Sequence, residues 1–170
     1  MPYNLIKTYN QLLDIVGMSE GQRTRSLMAI FNRDIRNNPN FKFGNKEIHP
    51  TPAEDGEIKI EELFDHLTKR IYDYSTRARE FDIHRAVRLH WVKYHVEKSK
   101  KENMLYFSVK EPEGLRTYIY DKDEKYVIVL EPLRNKTSYY LLSAHYLTGK
   151  DAKRDKIMTK YNKYRLDELY

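Results

Sequence analysis

The sequence YVIVLEPLRNKTSYYLLSAHY, at Tyr126–Tyr146, decides the fold of this chain. Its two outer runs are rich in Val, Ile, Leu and Tyr, which strands favour. They are separated by a short polar connection of the length that hairpins use. Regular alternation along the second run places Tyr139, Leu141, Ser143 and His145 on one face. The stretch therefore predicts a β-hairpin that sets a hydroxyl and an imidazole side by side.

Two further runs with strand character precede this hairpin, MLYFSV at 104–109 and RTYIY at 116–120. Turn residues separate each run from the next, so the four strands are expected to form an antiparallel meander. In the second of these strands, Arg116 and Tyr118 share one face.

The N-terminal part of the chain shows the spacing of helices rather than strands. Helices are predicted over Leu5–Val16, from a capping box at Ser19 onward, over 58–79 and over 82–98, with a loop and a short extended piece over 41–56. The expected fold class is α+β, with N-terminal helices followed by a four-stranded antiparallel sheet packed on a helix. The expected organisation is a helical N-terminal region at 1–78 and a second domain at 79–170.

Composition narrows the class of protein. The 170 residues include no cysteine, which excludes disulfides, thiolate zinc sites and a cysteine nucleophile. The start MPYNLIKTYNQLL is too polar for a signal peptide, and no apolar run reaches membrane-spanning length. We expect a cytoplasmic protein without a membrane partner. Five of the six net positive charges lie in 150–165, where seven Lys and Arg accompany two Asp, and this favours an anionic partner.

The predicted helix over 82–98 carries a row of basic groups between two apolar faces, formed by His84, Arg88 and His95. Such a row is suited to hold a phosphate. His90 falls on one of the apolar sides instead. No cluster of residues has the spacing of a metal or cofactor site, so neither is predicted.

Three segments resemble the phage-type members of the barnase–EndoU–colicin–RelE (BECR) nuclease superfamily: RAVRLHWVKYHVE, LRTYIYDKDEKYVIVLEP and YYLLSAHYLTGKDAKRDKIMTKYNKY. The resemblance covers roughly 79–164. It implies a small sheet with a packed helix and metal-independent RNA cleavage, often by toxins of phage, plasmid or inter-bacterial conflict. Ser143 stands where the family has Thr, and His145 stands where it has Tyr.

Cleaving RNA without a metal requires a base for the 2′-hydroxyl, cations for the phosphorane and an acid for the leaving oxygen. We expect one of three histidines to transfer protons, two arginines to stabilise charge and a serine to donate a hydrogen bond. The candidate catalytic residues are His90, His95, His145, Arg88, Arg116 and Ser143. The candidate RNA-binding residues are His84, Tyr118, Lys150, Lys153, Arg154, Lys156, Lys160 and Lys163. The expected product is a 2′,3′-cyclic phosphate.

Two other functions fit the same residues. The chain is alternatively a non-catalytic RNA-binding module of the same fold, in which the basic segment and the tyrosines hold RNA. The N-terminal helices could also dock an antitoxin or immunity protein, although they could equally serve as a cover for the helix over 82–98. A cleavage assay beside a binding assay separates the nuclease from the RNA-binding module.

Overall fold

The computed structural model describes residues 3–52 and 55–170, and within them the chain forms eight strands and six α-helices. The strands are β1 (Lys42–Phe43), β2 (Lys46–Pro50), β3 (Lys69–Asp73), β4 (Ala78–Phe81), β5 (Met104–Glu111), β6 (Gly114–Asp121), β7 (Tyr126–Pro132) and β8 (Ser138–Tyr146). The helices are α1 (Glu20–Phe31), α2 (Ile60–Thr68), α3 (Ile83–Ala86), α4 (Trp91–Val96), α5 (Gly149–Arg154) and α6 (Lys156–Tyr164).

Six of the strands form one curled, mixed sheet in the order β1-β2-β8-β7-β6-β5, while β3 and β4 form a separate hairpin. Only the β2–β8 pair is parallel. The predicted fold class of N-terminal helices and a four-stranded antiparallel sheet is therefore wrong. The meander β5–β8 is present, but the extended piece expected within 41–56 forms β1 and β2 and widens the sheet. Burial of Phe43 and Ile48 secures this addition.

The helix predicted over Leu5–Val16 is wrong as well. Beyond a single 3-10 turn the segment is irregular, and Asn10 adopts a left-handed conformation with φ 62°. Such a conformation interrupts a helix. The indole Nε1 of Trp91 donates to the carbonyl of Gln11 at 3.1 Å, so a tertiary contact replaces a helical hydrogen bond there.

The next two predicted helices have different outcomes. The capping box is confirmed, because Ser19 and Gln22 exchange side-chain to backbone hydrogen bonds at the start of α1. The helix predicted over 58–79 shrinks to α2, and its second half becomes the β3–β4 hairpin. Asp73 turns the chain by accepting from the backbone N–H of Ser75 at 2.9 Å, an Asx turn that competes with helix.

The helix predicted over 82–98 divides into α3 and α4 around a tighter turn. The N–H groups of Arg88 and Trp91 donate to carbonyls three residues back, at 3.1 and 2.9 Å. A 3-10 turn has about 3.0 residues per turn, whereas an α-helix has about 3.6, so the residues that follow the 3-10 turn are rotated around the helix axis. The row predicted for His84, Arg88 and His95 is therefore not a straight line on one helix: the structure exposes His84 and buries His95.

The main sheet buries a different core on each face. The face that we call the α4 face packs against α1, α2 and α4 and includes Ile119, Ile128, Leu130, Leu141 and Ala144. The other, the α6 face, includes Phe107, Tyr118, Tyr120 and Val127, packed against Leu147 and Ile157. Asp155 fixes α6 to the sheet, because its carboxylate accepts from the Tyr120 hydroxyl and the Lys125 ammonium, both at 2.9 Å.

A β-bulge in β8 changes the predicted alternation. Val129 pairs with Ser143, but the next residue, Leu130, pairs with Leu141, so Leu142 is an additional residue. Leu141 therefore lies on the α4 face, whereas Ser143 and His145 lie on the α6 face opposite Val129 and Val127. The prediction that Ser143 and His145 share a face is confirmed, and the prediction that Tyr139 and Leu141 share it with them is wrong.

The region 1–78 contributes two helices, β1 and β2 of the main sheet, and β3. The domain boundary between 78 and 79 stays a prediction.

Candidate functional site

A polar cleft lies beside the C-terminal half of β8. Strand β2 pairs with β8 only as far as Leu141, and the β3–β4 hairpin and the start of α3 occupy the space beyond. The cleft, which we call the β8 cleft, has a volume of about 470 Å³. Its lining residues are Arg70, Ile71, Tyr74, Arg79, Asp82, Arg85, Leu142, Ser143, His145, Tyr146 and Asp151. Two of the six candidate catalytic residues, Ser143 and His145, are thus in one cleft.

The bulge explains why these two side chains reach the cleft. A regular β8 would carry Ser143 and His145 on the same face as Tyr139 and Leu141, which are buried in the core of the α4 face. The additional residue Leu142 reverses that alternation at the point where β2 ends. Bulges commonly redirect side chains next to functional sites.

Three guanidinium groups line the cleft, and their charges are compensated to different degrees. Arg70 lies 2.9 Å from the Glu80 carboxylate. Arg85 lies 3.5 Å from Asp82, a long contact that leaves its buried Nε without a hydrogen bond among the described residues. Arg79 is half-buried and has no ion pair within the part of the chain that the structure describes. The carboxylates of Asp65 and Glu62 act on Arg79 from a distance, so among the described residues it is the one of the three guanidinium groups whose charge has no direct carboxylate contact.

Burial removes water from the guanidinium groups of Arg79 and Arg85 and so disfavours their charged form. The pKa of Arg79 is lowered from its ordinary value by burial, and the pKa of Arg85 is lowered for the same reason. Both groups remain charged at neutral pH, since an arginine titrates far above that range. A half-buried cation without a full counter-charge is stabilised when an anion binds.

The imidazole of His145 is largely shielded from water. Burial and, to a smaller extent, the positive charge of Arg85 lower the pKa of His145 to about 4. Its Nδ1 atom is buried and has no hydrogen-bond partner among the described residues. At neutral pH the ring is therefore uncharged, and a neutral imidazole can accept a proton.

His66, in α2, lies behind the cleft and was not expected from the sequence. Burial lowers the pKa of His66 to about 4, with Arg79 and Arg85 adding to the effect. The Arg85 guanidinium donates to the carbonyls of His66 and Lys69 at 3.2 and 3.0 Å. These two hydrogen bonds hold Arg85 against the end of α2.

The structure places His95 in the core, away from the β8 cleft. Its Nε2 lies 2.9 Å from the Asp121 carboxylate and its Nδ1 lies 2.8 Å from the Trp91 carbonyl, so both ring nitrogens face acceptors. Burial alone would raise the pKa of Asp121, but hydrogen bonds from His95, Lys100 and Tyr9 outweigh it and hold that pKa below its ordinary value. The arrangement is a buried, hydrogen-bonded histidine–aspartate pair that ties α4 to β6.

The remaining helical candidates also lie outside the cleft. The Nε2 atom of His90 contacts the Thr8 carbonyl at 3.1 Å in the N-terminal part of the molecule. Arg88 is buried and stacks on the ring of Tyr146, with its guanidinium carbon 3.7 Å from the ring centroid. His84 is exposed beside the same ring, at 5.6 Å between centroids. Two cleft residues contact this group: Tyr146, and Asp82, whose carboxylate accepts from the backbone N–H of His84 at 3.0 Å.

Arg116 and Tyr118 lie at the other end of the α6 face. Arg116 is near Glu131, at 3.5 Å, and the Tyr118 hydroxyl donates to Glu111 at 2.7 Å. Tyr120 of β6 pairs with Val127 of β7, which pairs in turn with His145 of β8. Arg116 therefore lies four residues along and two strands across from His145. At about 3.3 Å per residue along a strand and 4.8 Å between neighbouring strands, the Cα atoms of Arg116 and His145 are roughly 16 Å apart. Arg116 is not among the residues that line the β8 cleft, which contains His145.

The basic residues of the C-terminal segment divide into two groups. Arg154, Lys156 and Lys160 line a groove between α6 and the end of β5, with a volume of about 490 Å³. The other lining residues of this α6 groove are Val109, Lys110, Glu111, Pro112, Thr159 and Tyr164. The second group is exposed on the helices outside the groove and consists of Lys150, Lys153 and Lys163.

Sequence reasoning missed the four cleft residues Arg70, Tyr74, Arg79 and Arg85. The first three lie on the hairpin that was predicted as helix. Arg85 lies within the segment RAVRLHW, one turn before Arg88, but on the side of α3 that faces β8. A turn signal at 73–77, DYSTR, could have revealed the hairpin.

The residues that the structure describes contain no group of three or more His, Cys, Asp and Glu placed to hold a metal ion. Within the same ranges, the helices are all too short or too polar to cross a membrane. Comparisons of the chain with protein-family models, with curated proteins and with solved structures find no match.

Proposed function

We propose that this protein is a metal-independent endoribonuclease whose scissile phosphate binds in the β8 cleft. The observation that carries the proposal is the combination of three guanidinium groups, the Ser143 hydroxyl and the largely buried His145 imidazole around one cavity. Cations and hydrogen-bond donors stabilise the charge that develops on a phosphorane. The resemblance of 79–164 to BECR nucleases supports the same reaction class.

In this mechanism, neutral His145 accepts the proton of the 2′-hydroxyl. The 2′-oxygen attacks the adjacent phosphorus, and the bond to the 5′-oxygen breaks, leaving a 2′,3′-cyclic phosphate. Arg79 and Arg85 stabilise the negative charge of the phosphorane, and Ser143 donates a hydrogen bond to one of its oxygens. The leaving 5′-oxygen takes a proton from water, which reaches the cleft beside Tyr74, a residue that is 78% exposed, and protonated His145 then returns its proton to the hydroxide that remains. DNA, which lacks the 2′-hydroxyl, is not cleaved.

These roles differ from the sequence-based set in the residues that stabilise charge, whereas His145 is one of the three histidines expected to transfer protons. Arg79 and Arg85 take the part expected of Arg88 and Arg116, because they line the cleft that contains Ser143 and His145.

The second candidate function is a non-catalytic RNA-binding module. The observation that favours this function is that His145 is the one histidine among the described residues lining the cleft. His90 and His95 bond to other parts of the protein. A base without a paired acid is a weak general acid–base system. The basic α6 groove serves this function equally well.

Cleavage of 5′-labelled RNA in excess EDTA separates the two functions. The nuclease proposal predicts shortened products ending in a 2′,3′-cyclic phosphate, at the same rate with EDTA or with magnesium. Binding without turnover supports the module instead. Cleavage that occurs only with added magnesium contradicts the metal-independent mechanism.

The biological setting follows from the same proposal. A ribonuclease of this kind would act in the cytoplasm as a toxin of phage or mobile-element origin, with RNA as its substrate. An antitoxin or immunity protein would then keep it inactive in the cell that makes it. Growth arrest on expression, relieved by Arg79→Gln, tests that setting.

A further inference from the structure

We infer that the α6 groove is a second RNA-backbone site, which holds nucleotides several positions from the phosphate in the β8 cleft. This inference rests on the proposed function, since it extends the substrate of that cleft. It assigns the protein a preference for longer single strands over short ones.

The charges around the α6 groove favour a polyanion. Lys110, Arg154, Lys156 and Lys160 contribute four positive charges to its lining, against the single carboxylate of Glu111. Lys110, Arg154 and Lys156 are exposed, and none of the three has an ion pair among the described residues. Cations of this kind bind phosphates by releasing counterions.

The one acidic residue in the groove is occupied by the protein itself. Glu111 accepts from the Lys160 ammonium and from the Tyr118 hydroxyl. Although burial alone would raise the pKa of Glu111, these two hydrogen bonds lower it, so the carboxylate is charged and neutralised in place. Glu111 therefore positions Lys160 at the floor of the groove without repelling an incoming phosphate.

The groove also offers aromatic and apolar surface. Tyr164 is 60% exposed at the edge of the groove, where its ring can stack on a base. Pro112 and Val109 line the wall below it. A groove with cations and one free aromatic ring is typical of surfaces that follow a single strand without reading its sequence.

Helix α5 connects the groove to the cleft. Asp151 lines the β8 cleft, and Arg154, one turn later in the same helix, lines the α6 groove. Residues three apart in a helix are separated by about 4.5 Å along its axis. An RNA strand that leaves the cleft over α5, past the carboxylate of Asp151, would therefore reach Arg154 first, whereas the β5 side of the groove is farther away, because Val109 pairs with Arg116 at the other end of the sheet.

Length-dependent binding tests this inference. Oligonucleotides of 2′-O-methyl RNA with about 4 and about 12 nucleotides span the range of common single-strand sites. Because they lack a free 2′-hydroxyl, their dissociation constants can be measured by fluorescence anisotropy whether or not the protein is a nuclease. The variants are R154A/K156A and, as a control outside the groove, K101A, which removes one exposed charge before the far end of β5.

At about 0.1 M salt, each lost phosphate contact weakens single-strand binding about 5-fold, since log K changes by about 0.7 per contact and decade of salt. R154A/K156A should therefore bind the longer strand about 25-fold more weakly, with a shallower salt dependence, and bind the shorter strand almost as before. K101A should change both constants by less than about 2-fold.

Other outcomes overturn the inference. Equal affinity of the wild-type protein for both lengths, or equal weakening by R154A/K156A and K101A, means that the groove holds no RNA and is free for a protein partner. The nuclease proposal fails separately, by absence of cleavage of unmodified RNA. Length dependence without cleavage would leave the groove assignment standing beside the binding-module function.

Discussion

Replacing Arg79 by Gln should remove most of the RNA-cleaving activity while leaving the fold intact. Arg70 is paired with Glu80 at 2.9 Å, and Arg85 is held by Asp82 and two carbonyls. Arg79 has no direct carboxylate contact among the described residues, and Asp65 and Glu62 act on its charge only from a distance, so it is the guanidinium most open to a phosphate. Loss of one preorganised group that stabilises transition-state charge costs about 10²–10³ in kcat. We expect a decrease of at least about 100-fold, with KM raised only a few-fold.

The assay is cleavage of 5′-labelled RNA in EDTA, resolved on a denaturing gel under single-turnover conditions. The matched control is Arg77→Gln, which removes the same charge from the exposed turn of the same hairpin. It should retain activity within about 2-fold, because exposed charges are screened. Thermal unfolding should show both variants within about 0.5 kcal/mol of the wild-type protein. Equal losses in the two variants, or full activity of Arg79→Gln, would refute the assignment of the cleft.

Three further predictions concern proton transfer, the hydroxyl and the buried ion pair. The acid limb of kcat/KM should lie near the His145 pKa of about 4 rather than near 6.5, and Arg85→Gln should move it upward because it removes a positive charge next to the ring. Ser143→Ala should lower kcat about 10-fold through loss of one hydrogen bond, while Ser143→Thr should retain activity. Equal kcat values for Ser143→Ala and the wild-type protein would contradict the role of the hydroxyl. Asp121→Asn should cost about 3–5 kcal/mol in urea unfolding, because it removes the buried carboxylate that bonds to His95 and Tyr9 and leaves the Lys100 ammonium without that counter-charge. Because folding lowers the pKa of Asp121, the wild-type protein should lose stability as pH falls below about 4, and the variant should lose less over that range.

The sequence predicts the central meander well because its strands are long and regularly patterned. Strands β7 and β8 begin and end where the apolar runs of 126–132 and 138–146 begin and end. The bulge at Leu142 could not be predicted, since one additional residue leaves the apolar content of β8 unchanged. That bulge nevertheless decides which face carries Ser143 and His145.

The hairpin of β3 and β4 was misread for a physical reason. Leu63, Phe64, Leu67, Ile71 and Tyr74 fit the spacing of one helical face, and the first three do lie on α2. Ile71 and Tyr74 instead belong to the hairpin and line the cleft. Helical spacing within a window does not reveal where the helix ends. Here α2 ends before β3 begins, and the longer predicted helix hid Arg70 and Arg79, two of the three arginines of the site.

Histidine chemistry was equally ambiguous in sequence. His95 and His145 have the same side chain, but His95 faces a buried carboxylate, whereas His145 is buried near the Arg85 guanidinium, which acts on it more strongly than Asp82 and Asp151 do. The position of Asp121, 26 residues after His95, distinguishes the two, and only tertiary structure supplies it.

The most direct measurement of the central claim is the ¹H–¹³C NMR spectrum of the histidine rings during titration with a 2′-O-methyl dinucleotide. The account predicts that the His145 resonance shifts and that its pKa rises on binding, because a phosphate anion enters beside it. The resonances of His90 and His95 should remain in place. A titration that moves His84 or His49 while His145 stays unchanged would contradict the β8 cleft as the site of the scissile phosphate.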